Sequence, residues 1–158
     1  MYRMGGSMKK LERIIFVGRS GSCREPMAMG ILKDLTLKLD TEILARGLVV
    51  SFPEPMNGKA EAVLISNGIS LQDFTSTQLK NEEITENTLV FTMEKGQREK
   101  VLSHYENASP ENVYVLTDFV GDELEIINPY GGSLQSYGLC YETLRKSIKK
   151  LVKILNEE

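Results

Sequence analysis

One stretch near the start of the chain restricts the fold more than any other. Leu11-Glu12-Arg13-Ile14-Ile15-Phe16-Val17 is a short apolar run that breaks abruptly into Gly18-Arg19-Ser20-Gly21-Ser22-Cys23-Arg24. A run of this length bounded by small residues suits a strand buried on both faces. Beyond the break, apolar residues recur at Met27, Ile31, Leu32, Leu35 and Leu39, which predicts a helix over Pro26–Leu39 with those residues on one face. Pro26 suits the first turn of that helix, where its missing N–H is not needed. A buried strand feeding a helix through a small-residue loop belongs to folds with a parallel sheet.

The rest of the chain repeats the alternation. Glu42–Val50 contains a second apolar run, Leu48-Val49-Val50. Asn57–Asn67 reads as a helix with Asn57 as N-cap and Gly68 just past its end. Thr88–Met93 is a strand, Glu94–Tyr105 a polar-faced helix and Val113–Leu116 another strand. The last helix, Leu134–Leu155, carries Tyr137, Tyr141, Leu144, Ile148, Leu151, Val152 and Leu155 along one face. The order predicts an α/β three-layer sandwich around a four-stranded parallel sheet. A single domain is expected over 9–158, with 1–8 a disordered start or an expression scar.

Composition narrows the functional classes. A formal charge of −3 argues against nucleic-acid or acidic-membrane binding. No apolar stretch approaches the ~20 residues needed to cross a bilayer, and Met1–Lys10 lacks a secretory apolar core. Two separated cysteines, Cys23 and Cys140, do not make a disulfide framework, so a cytoplasmic protein is expected. With a single histidine, they do not make a zinc site either, and no cofactor or metal is expected.

The Gly18–Arg24 loop is the candidate site. Ligands in open α/β sheets bind at strand C-termini. Small residues there let backbone N–H groups turn towards an anion, beside the positive end of the helix. Arg19, Ser20, Gly21, Ser22, Cys23 and Arg24 are therefore the expected anion contacts. The spacing fits neither a Walker A loop nor a dinucleotide fingerprint.

At these residues the chain resembles the low-molecular-weight protein tyrosine phosphatases. Ile14–Val17, then Gly18–Arg24, then Pro26-Met27-Ala28 match that family's strand, C-x5-R loop and helix start. Asn128-Pro129-Tyr130-Gly131-Gly132-Ser133-Leu134 resembles its D-P-[FY]-G-G-S-L loop, and Asn67-Gly68-Ile69 and Phe91-Thr92-Met93 fall in order between them. The resemblance implies a phosphatase fold, a phosphate-binding loop and Tyr130 as a substrate wall.

It also implies two losses. The family's nucleophilic cysteine corresponds to Gly18, and its general acid to Asn128. Cys23 matches a second loop cysteine and is no substitute. Glu25 stands where the family carries a serine, with Arg19 expected to balance it, and Gly21 replaces a loop-stiffening asparagine. Asp118, Asp122, Glu123 and Glu125 are read as solvated charges, His104 as solvent-facing, and Phe52, Tyr137, Tyr141 and Cys140 as packing residues. The expectation is a catalytically silent relative that binds phosphate, another oxyanion, phosphotyrosine or a protein partner through residues 18–24. The competing expectation is a phosphatase with a non-standard nucleophile such as Ser20 or Ser22. Arsenate reduction, known on this fold, would need cysteines that neither Cys23 nor Cys140 supplies.

Overall fold

A computed structural model describes residues 2–4, 7–9, 11–36 and 40–156. The apolar run near the start forms β3 (Arg13–Gly18), after a short antiparallel hairpin of β1 (Tyr2–Met4) and β2 (Ser7–Lys9). All of this hairpin but Lys9 lies in 1–8, the stretch expected to be a disordered start or an expression scar. Strand β3 pairs in parallel with β4 (Glu42–Gly47) on one side and with β5 (Thr88–Thr92) on the other. Beyond β5 lies β6 (Val113–Val115), also parallel, completing a sheet of order β4-β3-β5-β6.

Alternation along β3 builds two cores. Ile14 and Phe16 face helices α1 (Arg24–Leu35), α2 (Gly58–Ser66) and α5 (Leu134–Asn156), whereas Ile15 and Val17 join Val90, Val101 and Val113 beneath α3 (Lys95–His104). Successive strand side chains point to opposite faces, so a strand covered on both sides must be apolar throughout. Phe91 of β5 stacks at 6.1 Å from Phe16 and edge-on at 5.1 Å from Phe119. Such pairs add about 0.5–1.5 kcal/mol beyond area burial.

Helix α1 is buried from Arg24 to Leu32, because the sheet covers one side and α5 and α2 cover the other. Its end at Leu35 is earlier than expected, and Leu37–Leu39 lie outside the described residues. On α5, the expected stripe is buried from Tyr137 to Leu155, with Val152 half-buried and Cys140 and Ser147 also buried within it.

Two boundaries differ for a tertiary reason. The run Leu48–Val50 does not extend β4. The N–H groups of Leu48 and Val49 donate to the carbonyl of Arg19, and Leu48 also donates to Gly18 (2.9–3.0 Å). These acceptors are the last residue of β3 and the first of the loop beyond it; β4 has ended at Gly47, and Val49 is exposed. At the other edge, β6 stops at Val115 and Leu116 opens a short helix, α4 (Leu116–Val120), which Gly121 closes at φ +84°.

Further along, Asp122 accepts hydrogen bonds from Ser147 and Lys150 of α5. Burial alone would raise its carboxyl, but these two donors outweigh burial and hold it below its ordinary value. Asp122 is thus a tether between α4 and α5, and not a solvated charge. Glu125 likewise accepts from the N–H of Lys95 at 2.5 Å. Among the described residues, no helix is long and apolar enough to cross a membrane.

Asn57 caps α2 as expected, accepting from the N–H groups of Lys59 (3.0 Å) and Ala60 (3.1 Å). Asn57→Ala should lower the unfolding free energy by about 1 kcal/mol. Urea denaturation checks this: the midpoint should fall with an unchanged slope.

Candidate functional site

The sheet delivers the loop to its carboxyl edge. Gly18 ends β3, Gly21 turns the chain at φ +75°, and α1 begins at Arg24. Gly21 sits against β4, so that a Cβ there would lie 2.8 Å from the backbone nitrogen of Gly47. The reverse also holds, since a Cβ on Gly47 would lie 2.5 Å from the carbonyl carbon of Ser20. The loop therefore passes over β4 with glycine required on both sides of the contact.

Five of the expected loop residues, Arg19, Ser20, Ser22, Cys23 and Arg24, line one cavity of about 320 Å³ together with Asn128 and Tyr130. Glu25, Glu54 and Asn57 complete its wall. Neither Glu54 nor Asn57 is among the site residues that the sequence points to; Asn57 enters there only as the cap of α2. The position of their turn is set from two directions. Glu54 exchanges hydrogen bonds with Ser76 (2.8 and 2.9 Å), and the N–H of Asn57 donates to the carbonyl of Ser22 (2.8 Å). Tyr130 is 78% exposed, so it stands as an open wall. Phe52 is also exposed, at 66%, and is not a core residue.

Inside the loop, the floor is taken by Glu25. Its side chain folds back from the first turn of α1, and Oε2 accepts a hydrogen bond from the Gly21 N–H at 2.5 Å. The backbone N–H groups of Glu25 itself and of Cys23 also favour its charged form. The residue is 2% exposed. Burial nevertheless dominates, raising the Glu25 carboxyl above its ordinary 4.5 against the pull of those N–H groups and of the Arg24 charge.

Gly18 is the counterpart of this arrangement. A Cβ there would fall 2.4 Å from the Glu25 Cδ and 2.5 Å from Oε2. The Glu25 carboxyl lies where a residue 18 side chain would have to begin. Sequence reading placed Glu25 beside the loop, opposite Arg19. The paired change, a side chain lost at Gly18 and a carboxylate gained at Glu25, was the signal for its actual place.

Arg24 is also committed within the protein. Its Nη1 donates to the carbonyl of Ile126 and its Nη2 to Glu94 Oε2, both at 2.6 Å, and the residue is 3% exposed. Glu94 was not anticipated as its partner. Ser20 and Ser22 place their hydroxyls 3.0 Å apart, bonded to each other. Burial, and then the nearby Glu25, push the Cys23 thiol up to about 12, and burial pushes Cys140 up to about 11. Both stay protonated at neutral pH and are poor nucleophiles in that form. Asn128 accepts from the N–H of Tyr130 at 3.1 Å, spending its oxygen on its own turn. His104 is exposed on α3, far in sequence from these groups.

Residues 13–158 match the sequence profile described as low molecular weight phosphotyrosine protein phosphatase. The chain belongs to that family. It is 29% identical over 139 residues to the low molecular weight protein-tyrosine-phosphatase PtpB of Staphylococcus haemolyticus, covering 88% of this chain and 96% of that protein. It is also 29% identical over 147 residues to a protein-arginine-phosphatase of Geobacillus stearothermophilus, covering 92% and 97%. Among solved structures, the YwlE arginine phosphatase from Geobacillus stearothermophilus superposes with a TM-score of 0.85 at 28% identity, covering 92% of this chain and 94% of that one. The four-stranded parallel α/β sandwich of this chain is the fold of these phosphatases.

Two outcomes follow from the contact between Gly18 and Glu25. Gly18→Ala should cost about 1–3 kcal/mol, the usual range for overpacking. Most of that loss should vanish in a Glu25→Ser background, a coupling read from a double-mutant cycle of urea melts. The second outcome concerns pH. A raised folded-state pKa makes the Glu25 contribution to stability fullest below pH 4.5 and lost as pH rises through the raised value. Glu25→Gln should flatten the part of the stability profile that lies above pH 4.5, where the raised carboxyl titrates.

Proposed function

We propose that this chain is a catalytically silent member of the family, which uses the pocket at the sheet's carboxyl edge to bind a partner. The observation that carries the reading is the Glu25 carboxyl seated against Gly18. Covalent phosphatase chemistry needs a nucleophile at the loop floor. Residue 18 has no side chain there, and a carboxyl group stands in the space.

The remaining groups support the same reading. The thiols of Cys23 and Cys140 are protonated, and the Ser20 and Ser22 hydroxyls hydrogen-bond to each other. A serine hydroxyl without an adjacent base is a weak nucleophile. Asn128 carries no proton for a leaving group, and losing a general acid typically costs about 10²–10⁴-fold. Because such groups act as a unit, these penalties do not simply multiply.

For the ligand, phosphate, another oxyanion or phosphotyrosine would enter the loop only by displacing Glu25. A protein partner meets no such condition. It would find Arg19, Glu54, Asn57 and the exposed ring of Tyr130 on the cavity wall. A second groove, lined by Leu124, Ile127 and Leu139, shares Asn128 and Tyr130 with that cavity. Polar and apolar surface thus adjoin, as at the rim and core of protein interfaces.

The purified chain should not hydrolyse an aryl phosphate. Gly18→Cys with Asn128→Asp should remain silent, and turnover should appear only when Glu25→Ser is added to that pair. Turnover by the unaltered chain that Ser20→Ala and Ser22→Ala abolish would establish the hydroxyl route instead.

A further inference from the structure

The loop has the parts of an oxyanion cradle: inward N–H groups, a helix N-terminus and an adjacent arginine. We infer that this cradle already holds its ligand, and that Glu25 is the residue that keeps phosphoryl groups out of it. The Oε2 atom receives the Gly21 N–H at 2.5 Å, where an anionic oxygen would otherwise be held. Glu25 is buried, and its carboxyl belongs to the loop's own chain, four residues on from Gly21. An external oxyanion competes with a group whose ordering cost was met on folding, so the local concentration strongly favours the internal one.

Neighbouring residues fit a cradle filled from inside. Gly18 leaves the space that the carboxyl fills, since a Cβ would lie 2.4 Å from its Cδ. Arg24, the cation expected to clamp an oxyanion, instead bonds the Ile126 carbonyl and Glu94 at 2.6 Å. Loop N–H groups that no partner satisfied would be costly once buried, and Glu25 removes that cost without a bound anion. The pocket wall then recognises its partner while the floor stays closed. The inference rests on the silent-pocket reading, but the two fail separately. Turnover would sink that reading, whereas phosphate binding without turnover would sink this one.

The test is titration with inorganic phosphate at constant ionic strength, with potassium chloride as the balancing salt. Calorimetry and thermal melting would be run on the unaltered chain, Glu25→Ser and Glu25→Ala. The unaltered chain should melt as it does in chloride alone and release no binding heat. The two variants should bind saturably, with melting raised by roughly 5–10 °C at a hundredfold excess over Kd. Equal binding by the unaltered chain and the variants overturns the inference, as do folded variants that bind no phosphate.

Should the variants not fold, the Gly21 amide resonance of the unaltered chain decides. It should follow the titration of the Glu25 carboxyl and ignore added phosphate. A Gly21 amide that shifts with phosphate, or that ignores the carboxyl's titration, overturns the proposal.

Discussion

A buried carboxyl group held by backbone N–H groups organises this end of the molecule. Burying a carboxyl group is costly, and the loop after β3 offsets part of that cost with N–H groups of Gly21, Cys23 and Glu25. The arrangement works only because Gly18 has no Cβ. With the floor of the loop filled, Arg24 bridges outwards. It links the loop to Glu94, where β5 passes into α3, and to Ile126, in the segment before Tyr130. Three segments distant in sequence are thereby tied through one guanidinium, in surroundings where each bond is stronger than in water.

The frame around the loop needs nothing unusual. A parallel sheet covered on both faces demands apolar strands, and β3 and β5 are buried throughout but for Arg13 at one end. Parallel pairing sends every strand's carboxyl end to the same edge, so that the loops after β3, β4 and β5 meet there. The same frame carries tyrosine and arginine phosphatases among the relatives of this chain. A fold does not dictate an activity; side chains at a few positions do. Positions 18 and 25, seven residues apart in sequence, meet at the loop of this chain.

Much of the architecture was legible because periodicity reports burial. The β3 run, the Asn57 cap, the α5 stripe and the four-stranded parallel order could all be read from local pattern. Where pattern misled, a long-range contact prevailed. Leu48–Val50 looked like strand, but its N–H groups follow Gly18 and Arg19 out of the sheet. Leu116 looked like the end of β6 and is instead the first residue of α4. Phe52 looked like core and is exposed, while Asp122, read as solvated, is held by Ser147 and Lys150. Each of these depends on a partner that no local window contains.

By itself, the order of amino acids determined the family, the succession of strands and helices, and which residues would gather at the loop, since these follow from apolar spacing and matched motifs. It also marked positions 18 and 25 as unusual. Only the tertiary structure decided that the two are one feature, with the Glu25 side chain turned inward and Arg24 turned to Glu94 and Ile126. Side-chain direction is set by the space and donors left free after packing. Those are properties of the assembled sheet edge and not of any residue's neighbours in sequence.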